Sequence, residues 1–183
     1  MLKRLTIASL ISILFISCAG MDPQGRGVSM VIPLGSINAT LNQKFPMDKK
    51  VGEGFFSGLL NISNPTVLGK SGKDKLDIGS SFKFTNSLLP DGLNGAVSLA
   101  SGVRYDKATK SLYLKDPEVQ ELKIQNFTLS KFVTKDTREL ITSMIVKVLK
   151  KEKIYTLSEK DISTGFVKAV DVRNGQVYLT FGL

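Results

Sequence analysis

The sequence predicts an α+β fold, a long curved antiparallel β-sheet wrapped around one long amphipathic helix, with a short helix near the N-terminus. Three observations carry that reading. From Phe55 to Gln125 apolar residues recur at every second position, as in strands with one face in water. Between Val133 and Leu149 the spacing lengthens to three and four, the period of a helix with one apolar face. Near the end, Asn174-Gly175 separates two apolar runs, and Asn-Gly is the strongest two-residue hairpin signal.

Each element follows from local pattern. Val28 to Ile32 is a short apolar strand closed by Pro33. Leu34, Ile37, Leu41 and Phe45 share one face of a short helix that Pro46 ends, and residues 47–54 read as a loop. The strands then place Leu60 and Ile62, next Leu76, Ile78, Phe82 and Phe84, next Val97, Leu99, Val103 and Tyr105, on one face. Leu112 and Leu114 lead into Val119, Leu122 and Ile124. Turns are expected at Gly69 to Lys75, Pro90-Asp91-Gly92 and Asp106 to Lys110.

In the long helix, Leu140, Met144 and Val148 form one i+4 row, and Ile141, Ile145 and Leu149 form the row beside it. Val133 and Thr137 extend the stripe, and Ser130 or Thr134 is available as N-cap. A helix over 131–151 is roughly 31 Å long at 1.5 Å per residue. Strands over 75–85 and 94–106 reach roughly 35–43 Å at about 3.3 Å per residue. The similar lengths predict a sheet that curls along the helix. A strand at Ile154–Leu157, a short helix from near Ser158, and a hairpin of Val167–Val172 and Val177–Phe181 close the chain.

Composition narrows the chemistry. The 183 residues suit a single domain and contain no His, no Trp and one Cys. Without His there is no Ser-His-Asp or Cys-His apparatus and no imidazole metal ligand. One Cys excludes a disulfide framework and a thiolate zinc site. Neither a metal nor a cofactor is expected, and the chain is not expected to be an enzyme.

Residues 1–17, MLKRLTIASLISILFIS, have a basic start at Lys3 and Arg4 and an apolar run from Leu5 to Ile16. A bilayer span needs roughly 20 apolar residues, so the run is too short and fits a signal peptide. The next residues, Phe15-Ile16-Ser17-Cys18-Ala19-Gly20, resemble the bacterial lipobox, although Phe15 stands where Leu is usual. The resemblance implies a diacylglyceryl thioether on Cys18, cleavage after Ser17, and acylation of the new amine by a chain of the palmitate class. Loss of Lys3 and Arg4 would lower the net charge of +9 by two. Ala19 lies where Asp favours inner-membrane retention in enterobacteria, so by analogy the anchor is expected in the outer membrane, facing the periplasm. Residues 18–27 read as acylated Cys and flexible Gly/Pro-rich tether, and residues 28–183 as one domain.

Short motifs point to no reaction. Gly69-Lys70-Ser71 resembles the end of a P-loop, but Asn64 stands where its first Gly belongs. Ser80-Ser81-Phe82-Lys83 matches S-x-x-K inside a strand pattern, with no companion motif. Asp74/Asp77 and Glu118/Glu121 sit beside turns among lysines and read as solvated faces. The basic run Lys147, Lys150, Lys151 and Lys153 complements a helix C-terminus. Its second reading is a patch for anionic headgroups. An exported chain meets no nucleic acid.

The lipobox Cys, the "INATLNQKFP" helix, the strand phrase "VRYDKATKSLYLKDPEV", the long helix and the closing "VRNGQVYLTF" hairpin together resemble the YceB-like bacterial lipoproteins, a family of unassigned function. The likeness covers roughly 28 to 183. That family's fold is similar to half of a tubular lipid-binding (TULIP) module, which implies a lipid or acyl chain held between helix and sheet. On that reading Val133, Leu140, Ile141, Met144, Ile145 and Val148 would line the ligand site of a membrane-anchored, monomeric, non-catalytic protein. The alternative is a structural or interaction lipoprotein of the envelope, in which the same stripe is ordinary core.

Overall fold

The computed structural model describes residues 19–54, 57–125, 134–158 and 166–182. The elements run β1 (Ala19–Met21), β2 (Val28–Ile32), α1 (Leu34–Lys44), β3 (Met47–Val51), β4 (Gly58–Gly69), β5 (Leu76–Asn86) and β6 (Leu89–Asp106). They continue with β7 (Ser111–Ile124), α2 (Lys135–Lys151), β8 (Lys153–Thr156), β9 (Phe166–Arg173) and β10 (Gln176–Gly182). Every strand pairing is antiparallel, in a six-stranded sheet of order β3-β4-β5-β6-β7-β8 and a four-stranded sheet of order β1-β2-β10-β9.

The strict alternation of β5 and β6 buries Leu76, Ile78, Phe82, Phe84, Leu93, Val97, Leu99 and Val103 on one face. Two prolines help to bend the larger sheet. Pro65 follows Asn64 at φ 50°, where the β4–β5 register shifts between Ser63 and Thr66. Pro117 follows Asp116 at φ 47°, where β6–β7 shifts between Ala100 and Gly102. Such bulges spare the ladder a missing N–H and increase strand twist. The sheet curls until its edges approach. Lys49 of β3 pairs with Glu152, next to β8, at 2.9 Å, and Lys44 at the end of α1 donates to the Lys153 carbonyl at 2.7 Å. Between those edges α1 buries Ile37 and Leu41.

The expected α+β architecture, a sheet wrapped around one long helix, is not what forms. Strands take 59% of the described residues and helices 20%, so the chain is mostly β. The interior is shared by both sheets and both helices, since Ile32, Val172, Val177, Leu179 and Phe181 join the same apolar cluster as α1, α2 and the larger sheet. The helix α2 has 17 residues and is capped by Thr134, whose side chain accepts from the Thr137 N–H. It covers part of the apolar face rather than forming an axis for the sheet. A second sheet arises because β2 pairs with β10, across almost the whole chain. Local periodicity carries no signal for that pairing.

Smaller departures have local causes. Residues 47–51 form β3 rather than loop. The β5–β6 turn falls at Ser87 and Leu88, because the Asn86 side-chain oxygen accepts from the N–H groups of Leu88 and Leu89. The expected Pro90-Asp91-Gly92 turn lies inside β6. Residues 131–133 and the short helix expected from near Ser158 lie outside the described residues.

The stretch read as a tether contains β1 and a fastened turn. The Asp22 side chain is fully buried and accepts from the backbone N–H groups of Gln24 and Arg26 and from the Arg26 guanidinium. Arg173 lies 3.4 Å from the same carboxylate, and Arg26 also bonds Asp171. These bonds, Arg26 foremost, hold the Asp22 carboxyl well below the usual carboxylate range. A depressed value adds stability that is complete above the unfolded carboxyl pKa of about 3.9 and is lost as pH falls through the folded value. Asp22→Asn should therefore unfold at lower denaturant than wild type throughout pH 5–8, with the gap closing only in strong acid. Amide exchange of residues 19–30 should rise first in the variant. Equal exchange in both proteins would show that this cluster does not hold β1.

Candidate functional site

A groove of about 650 Å³ opens between α2 and the segment that ends β3. That volume lies within the range of small-molecule sites, roughly 300–1,000 Å³. Two adjacent rows of α2 line it. One is Leu140, Met144 and Val148; the other is Ser143, Lys147 and Lys151. The facing wall is Lys49, Lys50, Val51, Gly52 and Glu53, with Glu152 at the helix end.

Helix and strand periodicity produce this lining. Residues four apart on α2 stack on one face, so an apolar row and a cationic row run side by side along the helix. On β3, Lys49 and Val51 share the half-buried face, and Lys50 points outward. Lysine stems cover apolar surface while their ammonium groups reach water. The Lys49–Glu152 pair ties the groove's two walls together at the C-terminal end of α2. Nearby, burial lowers the pKa of the Lys44 amine, partly offset by Glu152.

The seven residues expected from sequence separate into three groups. Leu140, Met144 and Val148 line the groove, with Leu140 half-buried and Met144 and Val148 largely covered. Ile141 and Ile145 belong to the adjoining row, are 2% and 0% exposed, and face the core rather than the groove. Val133 and Cys18 lie outside the described residues. Sequence reasoning missed the whole β3 wall, having read residues 47–54 as a loop. The signal available was the alternation of Met47, Lys49 and Val51, obscured because the middle residue is charged.

The other motifs have structural roles. The Ser80 hydroxyl donates to the Ser63 carbonyl at 3.0 Å within the sheet. Lys70 pairs with Asp77 at 2.6 Å, Lys75 with Glu118 at 2.7 Å and Lys123 with Glu121 at 3.1 Å, so three of the four paired acids belong to ion pairs. Among the described residues no group of three or more His, Cys, Asp or Glu is placed to hold a metal. No described helix is long and apolar enough to cross a membrane. A second hollow of about 570 Å³ lies where β6 and β7 meet β9. Its lining is mixed, with Arg104, Lys115, Asp116, Lys150 and Lys168 beside Val103, Tyr105, Val167, Ala169 and Val170.

No curated protein matches the chain. One family does, over residues 35–176, from α1 to the first residue of β10, and so includes the whole groove. The chain belongs to the family described as "Protein of unknown function (DUF1439)".

Proposed function

We propose that this protein is a lipid-anchored lipoprotein of the cell envelope that holds an apolar ligand, a lipid or acyl chain, without chemistry. The anchor is Cys18, the leader is residues 1–17, and the domain faces the periplasm from the outer membrane. The observation that carries ligand binding is the groove. Half-buried Leu140 and Val51, with the small exposed parts of Met144 and Val148, line an open space of about 650 Å³ beside the apolar core. The resemblance to YceB-like lipoproteins, and through them to tubular lipid-binding modules, supports the same reading. The lone Cys at the end of the apolar leader supports the anchor.

Native mass spectrometry of the full-length protein, released from detergent in the instrument, tests the ligand. The expected result is a retained acyl-chain mass beyond that of the covalent anchor, lost in Val148→Phe. An empty groove in protein taken from every envelope preparation would leave the domain an interaction module. Cys18→Ser tests the anchor separately. Acylation should vanish and unprocessed precursor should accumulate, whereas unchanged membrane fractionation with a wild-type mature mass would rule the anchor out.

A further inference from the structure

We infer that the occupant of this groove is a single-chain amphiphile with an anionic head, of the fatty-acid class, whose head sits toward the C-terminal end of α2. The inference rests on the groove being a ligand site, as proposed above. Charge complementarity supplies the head. Lys147 and Lys151 stand one turn apart on the wall, and the exposed Lys50 lies at the groove's β3 edge. None of the three has an ion-pair partner among the described residues, whereas Lys49 is already neutralised by Glu152. Glu53 is the groove's other carboxylate.

The charge is also graded along the helix. Leu140, Ser143 and Met144 occupy the N-terminal half of the groove wall and carry no charge; Lys147 and Lys151 occupy the C-terminal half. A helix C-terminus repels an anion with about half a charge. Lys147 and Lys151, both on the groove wall, exceed it. From Leu140 to Lys151 the wall runs roughly 17 Å at 1.5 Å per residue, with one apolar row of three side chains. A single row suits one extended chain rather than the paired chains of a phospholipid.

Photo-crosslinking tests this in washed envelope membranes that carry the full-length protein. The probes are diazirine-bearing palmitic acid, hexadecanol and phosphatidylglycerol, with labelled peptides read by mass spectrometry. Palmitic acid should label peptides containing residues 140–151 or 49–53 more strongly than either other probe. Lys147→Glu with Lys151→Glu should cut that labelling roughly threefold to tenfold, as expected for exposed ion pairs. Raised salt should do the same, and hexadecanol labelling should respond to neither. Equal labelling by acid and alcohol would overturn the anionic head and leave the apolar groove standing. Preference for phosphatidylglycerol would overturn the single chain. No labelling by any probe would remove the ligand site itself.

Discussion

Gly69→Ala should destabilise the protein by about 1–3 kcal/mol or more, the cost of forcing volume into filled space. A Cβ at Gly69 would lie 1.7 Å from the carbonyl oxygen of Gly175, and that oxygen is backbone with no rotamer to yield. The contact joins the two sheets. The β4–β5 hairpin meets the β9–β10 turn, where Asn174 and Gly175 adopt φ 51° and 72°. The Gly175 N–H donates to the Lys73 carbonyl at 2.7 Å. The Asn174 side-chain oxygen accepts from the Gly72 N–H and from the Ser71 hydroxyl. Parting the turns would strand these groups together, so the effect should exceed that of a simple surface clash. Gly79→Ala is the control, because nothing lies within 4 Å of the added Cβ. It should be neutral or raise stability by about 0.5–1 kcal/mol, the usual gain over Gly in a strand. Denaturant midpoints at unchanged m-value report the difference. Equal midpoints for the two variants would mean that the turns do not hold the sheets together.

The same region shows what the sequence made legible. Asn174-Gly175 specifies its turn through backbone conformation alone, a local property, and β9 and β10 follow from it. Thr134, as N-cap, and the two rows of α2 are equally local. The joining of β2 to β10 is not, since its strands are separated by most of the chain and share no pattern beyond apolarity. The expectation of one sheet around one helix failed at that point. It rested on the similar lengths of helix and strands, which carry no information on how many sheets share the core. Chemistry was also lost where a residue serves two masters. Lys49 packs its stem on the half-buried face of β3 and its amine on Glu152, so a strand read as a loop and half the groove went unseen. The cationic row of α2 was visible as a basic helix end. That it borders an apolar row beside open space depends on β3 standing opposite.

Ile145→Ala should cost about 2–5 kcal/mol, and Leu140→Ala much less, although both remove an aliphatic side chain from the same helix. Ile145 is fully buried, so its loss leaves a cavity as well as forfeiting transfer energy. Leu140 is half-buried on the groove wall, and its removal widens a space already present. Enlargement should invert the order. Val148→Phe has the groove to enter and should keep most of the stability while displacing bound chain. Ile145→Phe has no such outlet and should cost about 1–3 kcal/mol by overpacking. The four variants together separate support of the core by the Ile141/Ile145/Leu149 row from the ligand surface proposed for the Leu140/Met144/Val148 row. Thermal unfolding and retained acyl-chain mass are the measurements. If Leu140→Ala costs as much as Ile145→Ala, and Val148→Phe as much as Ile145→Phe, both rows are core. The space beside α2 would then hold no ligand, and the domain's function would have to be sought on its surface.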